Sequence, residues 1–217
     1  MRQTGTSRER VRRLGLVALI LGAVGIPVAA HFSESGFLGP WTGVIGSRAA
    51  YAQTTRDDAG AAGAFLAASR VFFNPRCVNC HPVGDAPLQG DRGVPHAMNV
   101  KRGPDGHGKA GARCNGCHQS SNLQGRHLPP GAPDWGIPPP GMPMVFEKRT
   151  PGQLCRQLKD PKQNGNRTPE QIIEHLQTPL VVWGWDPGEG RAAVPVPYDS
   201  FVRNVVEWVE KGAACPE

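Results

Sequence analysis

The apolar positions along the chain form a few short helical patterns, separated by long stretches rich in glycine and proline. Over residues 59–74 apolar side chains recur every three or four positions, which predicts a helix that ends before Pro75. The same periodicity is clearest over residues 198–212, where we expect an amphipathic helix that ends at Gly212. Together these patterns predict a mainly α fold with long loops.

Two further helices are predicted from the residues at which they begin. Thr150 precedes Pro151 and Thr168 precedes Pro169, so in both cases a capping side chain stands before a proline at the first helical position. The spacing from Thr168 to Gln171 also fits a capping box. No strand pair is predicted, and only the run "LVVWGW" has the composition of a short strand.

The first 52 residues differ from the rest of the chain. Residues 1–13 carry five arginines, and residues 14–30 are apolar and uncharged, which is typical of a secretory signal peptide or an N-terminal membrane anchor. We therefore expect a leader over residues 1–52 and one domain over residues 53–217. The domain is expected in the periplasm, and it is tethered to the cytoplasmic membrane if the leader is retained.

The net charge of +6 lies mostly in this leader. Six of the 24 basic residues and two of the 18 acidic residues precede residue 53, so the remaining chain carries +2. The remaining chain has no basic stripe interleaved with aromatic side chains, and we therefore expect no nucleic-acid binding.

Two short motifs, "CVNCH" and "CNGCH", have the form that attaches haem covalently. Two intervening residues let a helical turn present both sulfurs to one porphyrin edge, and the adjacent histidine ligates the iron. The sequence therefore predicts two haem c groups. The cysteines that would bind them are Cys77, Cys80, Cys114 and Cys117, and the proximal iron ligands are His81 and His118.

Other uses of these cysteines are a zinc ion bound by four thiolates, or two disulfides. Neither requires a histidine after each second cysteine, yet both motifs have one, which favours haem. Cys155 and Cys215 remain, and in an exported chain a leftover pair predicts one disulfide. Two unpaired buried thiols are the alternative.

A low-spin electron carrier needs a second protein ligand on each iron, either methionine or histidine. The candidates are His96, His127, His175 and Met142. His175 falls near the buried face of a predicted helix, and Met142 lies in a Met-Pro loop like that of single-haem cytochromes c. His107 stands in a polar glycine turn and is expected to be exposed.

Residues 129–143, here called the proline strap, hold seven prolines in fifteen positions. Such a segment is either a flexible linker or a stiff strand with a polyproline-like path. The embedded Trp135, Ile137 and Met142 favour a stiff strand that lies on a hydrophobic surface.

The wider pattern around the motifs resembles a known family. The runs "CVNCHPVGDAPLQGD", "RCNGCHQSSNLQGRHLPPGAPDWGIPP" and "LVVWGWDPG" are similar to small exported di-haem c-type cytochromes labelled as an isoquinoline 1-oxidoreductase subunit, over about residues 60–217. The resemblance implies cytochrome c-like helices and a protein that passes electrons from a molybdenum hydroxylase. Its partners would be a dehydrogenase donor and a cytochrome or oxidase acceptor.

Three classes of function remain open at this point. The leading interpretation is an exported electron carrier with no catalytic residue of its own. The alternative is a small di-haem oxidoreductase, peroxidase-like or acting on sulfur compounds, in which one iron stays open to substrate. A ligand-sensing or structural haem protein is the third.

Overall fold

The computed structural model describes residues 56–217, and the expected leader over residues 1–52 lies outside the described residues. Helical segments make up 41% of the described part, and its strands are few and short, so the fold is mainly α. Among the residues described, no helix has both the length and the apolar character that crossing a bilayer requires.

Seven α-helices follow one another in the described chain: α1 (Asp58–Phe72), α2 (Pro75–Val78), α3 (Pro151–Lys159), α4 (Pro161–Asn164), α5 (Pro169–Leu176), α6 (Pro179–Val182) and α7 (Tyr198–Glu210). Contrary to the expectation of no strand pair, two antiparallel ribbons lie between α2 and α3: β1 (Leu88–Gln89) with β2 (Val94–Pro95), and β3 (Gly108–Lys109) with β4 (Ala112–Arg113). Single 3-10 turns cover Ala97–Asn99, Cys114–Gly116 and Trp183–Trp185.

The helix starts follow from local chemistry. Helices α2 to α6 all begin on a proline, whose fixed φ suits the first helical position and whose missing N–H is not needed there. Thr150 and Thr168 each accept a hydrogen bond from the backbone N–H three residues later, and the glutamine there bonds back to the threonine N–H. The predicted starts of α3 and α5 are thus confirmed.

The core is an aromatic cluster between the first and last helices. Phe65 of α1 packs on Trp208 of α7, with ring centroids 5.0 Å apart. Phe72 meets Phe201 edge-on at 5.1 Å, and it meets Phe146 edge-on at 5.5 Å. Each such pair adds about 0.5–1.5 kcal/mol beyond area burial, so these rings join two helices that are distant in sequence.

Two predicted boundaries change. Helix α1 ends at Phe72. Pro75, expected only to stop this helix, also begins α2, in which the first cysteine motif starts. The last helix ends at Glu210, two residues before Gly212, which still takes a positive φ of 97° just beyond it. Both elements exist where the periodicity predicted them.

The prediction of a strand over "LVVWGW" is wrong. Pro179 begins α6 after Thr178, and the chain continues directly into the 3-10 turn Trp183–Trp185. The indole N–H of Trp183 donates to the Asn122 side chain, and that of Trp185 donates to the Val196 carbonyl, so both acceptors lie outside this turn. Tertiary hydrogen bonds of this kind override the β propensity of the run.

Cys155 and Cys215 are joined in a disulfide, with their Cα atoms 5.5 Å apart. Cys155 is fully buried on α3, and Cys215 lies near the end of the chain. The link therefore ties α3 to the segment that follows α7 and closes a loop with a sequence separation of 60.

Removal of this disulfide is expected to destabilise the domain strongly. Replacing Cys155→Ala together with Cys215→Ala frees a long loop in the unfolded chain, which should lower the free energy of unfolding by about 2–5 kcal/mol. Denaturant unfolding followed by tryptophan fluorescence measures this. A reducing agent should destabilise the wild type and leave the double variant unchanged, and equal sensitivity of both proteins would contradict the assignment.

Candidate metal centres

The two motif histidines define two sites. The first site consists of Cys77, Cys80, His81 and the cavity beside them, and it begins in α2. The second consists of Cys114, Cys117, His118 and their surroundings, and begins in the 3-10 turn Cys114–Gly116.

His81 in the first site is held by the segment that follows the proline strap. Its Nδ1 lies 2.7 Å from the Met144 carbonyl, and its own carbonyl accepts a hydrogen bond of 2.9 Å from the Phe146 N–H. The imidazole stacks on the Phe146 ring, with centroids 3.9 Å apart and an interplanar angle of 7°. One hydrogen bond and one stacked face therefore fix the ring, and a second hydrogen bond fixes the backbone of His81.

His118 in the second site is held in the same way. Its Nδ1 lies 2.7 Å from the Pro130 carbonyl, and its ring stacks on Trp135 at 4.5 Å with an interplanar angle of 6°. Gly131 next to this carbonyl lies so close to the backbone oxygens of Gln119 and Ser121 that a Cβ would fall within 2.4 Å of either oxygen. The strap thus reaches its position only with a glycine there.

These contacts determine which ring nitrogen is free. A backbone carbonyl can only accept, so Nδ1 must donate in both histidines. Burial is the main cause that lowers the pKa of His81 to about 4, and burial also lowers the pKa of His118. Both imidazoles are therefore neutral near pH 7. The lone pair therefore lies on Nε2, which is the arrangement of a histidine that ligates a metal.

An apolar cavity of about 110 Å³ lies beside the first site. Its polar wall includes His81 and, from α5, His175. Burial lowers the pKa of His175, with a smaller contribution from the Arg167 charge, so a second neutral imidazole faces the same space. The apolar walls come from several helices and include Phe72, Leu158, Ile172, Leu180 and Phe201.

Met142 does not line this cavity. Its sulfur is 3.4 Å from the Arg167 guanidinium and close against Gly165. Of the two candidates on this side of the molecule, His175 therefore shares a cavity with His81, and Met142 does not.

In the second site, His96 comes close to His118. Their ring centroids are 6.0 Å apart, with an interplanar angle of 65°. Two imidazoles that each bind one metal at about 2.0 Å have centroids about 6 Å apart, so the separation suits a shared ion. The His96 Nδ1 lies 2.9 Å from the Ala97 carbonyl and so donates, which leaves Nε2 free here too.

The other two histidines occupy different positions. His127 is exposed, has a φ of 58°, and rests its ring against Gly190. His107 is half-buried, against the expectation of an exposed turn, because its Nδ1 bonds to the Trp135 carbonyl at 3.1 Å. It lines an open cavity of about 260 Å³ beside His118.

The four motif cysteines are not in disulfides. Burial raises the pKa of Cys77 to about 12 and, with a smaller contribution from Cys114, raises the pKa of Cys80 to about 11. Both thiols of the first motif are therefore neutral near pH 7. Within residues 56–217, no three or more His, Cys, Asp or Glu side chains converge to hold a metal ion.

Arg102 anchors the strap, and the sequence alone did not mark it. Its residue surface is only 3% exposed, and its guanidinium donates to the carbonyls of Pro138 and Gly84. Its backbone N–H bonds to the Asp85 carbonyl at 2.7 Å. One buried side chain therefore joins the loop after the first motif to the middle of the strap. An arginine among glycines gives no sequence signal of burial.

Comparison of the chain with protein-family models, with curated proteins and with solved structures finds no match. An apolar cavity with the neutral Cys77 thiol and the His81 imidazole at its wall fits a flat, metal-bearing group attached through sulfur. The buried Arg76 Nε at the same cavity has no hydrogen-bond partner within residues 56–217, which also fits a cavity that binds a further group.

Replacing Arg102→Met is expected to loosen the strap. The change leaves two carbonyls without a donor and should lower the free energy of unfolding by about 2–3 kcal/mol. The matched control is Arg70→Met on the exposed face of α1, which should change stability by less than about 0.5 kcal/mol. Equal effects of the two substitutions in denaturant unfolding would show that Arg102 is not an anchor.

Proposed function

We propose that this chain is an exported di-haem c-type cytochrome that carries single electrons between redox proteins. One observation carries the proposal: two sites of the same construction, each with a neutral histidine whose Nδ1 bonds to a backbone carbonyl and whose Nε2 is free. In this proposal the helices and the glycine- and proline-rich loops wrap around two haems. Thioether bonds to Cys77, Cys80, Cys114 and Cys117 hold them.

A second histidine at each site favours an electron carrier over an enzyme. His175 faces the cavity beside His81, and His96 lies at a ring distance from His118 that suits a shared iron. Two protein ligands leave no position at which a substrate can bind the metal. When bound, the haem supplies one-electron chemistry, while the chain supplies ligands, burial and orientation.

The relation between the two sites supports transfer from one to the other. Trp135, which stacks on His118, meets Trp183 edge-on at 4.9 Å, and the Arg76 guanidinium of the first site lies 5.8 Å from the same Trp183 ring, so the two sites are neighbours. Asn115, Gly116 and Cys117 in the second motif are exposed, whereas Cys77 and Cys80 in the first motif are half-buried. A partner protein thus has access to the second site first, through the small contact typical of transient redox pairs.

The donor and compartment are further parts of this proposal. The disulfide Cys155–Cys215 suits an oxidising compartment such as the periplasm, in agreement with the expected leader. On the resemblance noted above, the donor is a periplasmic dehydrogenase of the molybdenum hydroxylase type, and the acceptor is a cytochrome or an oxidase of the respiratory chain.

The experiment that tests the proposal counts haems in protein exported by a host that attaches haem c. A pyridine haemochrome assay should give two haems per chain in the wild type. It should give one in Cys77→Ser with Cys80→Ser, and one in Cys114→Ser with Cys117→Ser. The matched control, Cys155→Ser with Cys215→Ser, removes as many cysteines and should keep two. A colourless wild type that contains zinc would overturn the proposal.

Electron transfer itself is tested by stopped-flow reduction with a periplasmic dehydrogenase, followed by reoxidation with a soluble cytochrome. Both haems should be reduced and reoxidised without a strong chemical reductant. If instead the protein turns over peroxide or a sulfur compound and shows a high-spin fraction, the oxidoreductase alternative holds and the carrier proposal fails.

Substitution of the second ligands should change one site at a time. His175→Ala is expected to convert the first site to a high-spin spectrum, and His96→Ala should do the same at the second site, because each loses an axial nitrogen. His127→Ala and Met142→Leu are the matched controls, since neither side chain lies in the inferred ligand positions. A high-spin fraction in either control, with low-spin spectra in the first two variants, would contradict this ligand assignment.

A further inference from the structure

Each motif is preceded by an arginine, and the two arginines lie in opposite environments. Arg76 stands directly before Cys77, and its side chain is 2% exposed. Arg113 stands directly before Cys114, and its side chain is 43% exposed. Arg113 pairs with Asp105 at the surface, at 2.9 Å, where solvent and salt screen both charges.

The charge of Arg76 is only partly compensated. Its Nη2 lies 2.6 Å from a carboxylate oxygen of Asp91, whose side chain is itself 49% exposed. The guanidinium carbon lies 5.8 Å from the centroid of the Trp183 ring. The Nε atom is buried and has no hydrogen-bond partner among the described residues. A buried guanidinium with one carboxylate partner and one unused donor keeps a large part of its field.

This field acts on the first site. Arg76 lines the same cavity as Cys77 and His81. Guanidinium groups stay protonated in proteins, so the positive charge is permanent. An added electron makes the first site more negative by one charge, and a fixed cation in low-dielectric surroundings favours that change much more than a solvated one does. Burial of the first site and the exposure of the second add to the difference in the same direction.

We propose that Arg76 makes the first site the higher-potential one of the pair, so that an electron received at the exposed second site passes inward and is held at the first. The inference rests on the proposed function. In the step, one electron leaves the second-site iron, which goes from ferrous to ferric, and the first-site iron goes from ferric to ferrous. No bond or proton is transferred, and the redox donor supplies the electron.

The test is a spectroelectrochemical titration of the purified haem-loaded chain, in which two midpoints are resolved. Arg76→Gln should lower the higher midpoint by about 59 mV, which corresponds to a tenfold loss in the reduction equilibrium constant. Arg76→Lys keeps a positive charge, so its higher midpoint should stay close to that of the wild type. Arg113→Gln is the matched control at the equivalent motif position, and it should change either constant by less than about twofold.

Asp91→Asn separates an electrostatic role from a structural one. Both Arg76→Gln and Asp91→Asn break the same ion pair, but the second leaves the cation less compensated and should raise the higher midpoint, by about threefold in the equilibrium constant. Asp91 is half-exposed, so this variant is expected to fold even if Arg76→Gln does not.

The inference fails if both variants shift the higher midpoint in the same direction, or if Asp91→Asn leaves that midpoint unchanged. A shift confined to the lower midpoint would also overturn it. Failure of the proposed function gives a different result, because a chain without two haems shows no pair of midpoints to assign.

Discussion

The hydrogen bond from each motif histidine to a strap-side carbonyl is the constraint on which the rest of the molecule depends. A histidine after a cysteine pair can turn about two side-chain bonds, and either ring nitrogen can carry the proton. The carbonyls of Met144 and Pro130 remove that freedom, since an acceptor at Nδ1 fixes both the tautomer and the ring plane. Stacking on Phe146 and Trp135 then fixes the other face.

The hydrophobic core and the first site form one continuous structure. Phe146 stacks on His81 and meets Phe72 of α1, which in turn meets Phe201 of α7. The packing of the two longest helices therefore reaches the imidazole directly through rings in contact. At the second site Trp135 plays the corresponding part and meets Trp183 edge-on at 4.9 Å, outside the core cluster. The first site is thus supported by the core, and the second by loops.

Local signals predicted much of this fold. The starts of α3 and α5 at Thr150 and Thr168 depend on interactions within four residues, so the sequence suffices for them. The run "LVVWGW" misled because its conformation depends on Asn122, a partner 61 residues away from Trp183. Long-range contacts of this kind leave no periodicity in a single sequence.

The candidate sites show the same division. The cysteine motifs are local and were evident, and the sequence placed His96 and His175 among four candidate second ligands. Sequence spacing alone could not distinguish these two histidines from His127 and Met142. The identity of the second ligand depends on which side chain faces a cavity formed by helices that are distant in sequence. The sequence also could not predict that Arg76 is buried while Arg113 is exposed, since each stands directly before the first cysteine of a motif.

The strap also has a consequence for how this chain can change in evolution. The carbonyls of Pro130 and Met144 contact different histidines, so the length of chain between them must match the separation of the two sites. Proline locks the backbone along this path and leaves little slack to absorb an added or lost residue. Most loops tolerate insertions, but here one would displace a carbonyl from one histidine while the other kept its own. Related sequences should therefore vary freely in the side chains of this segment while its length stays constant.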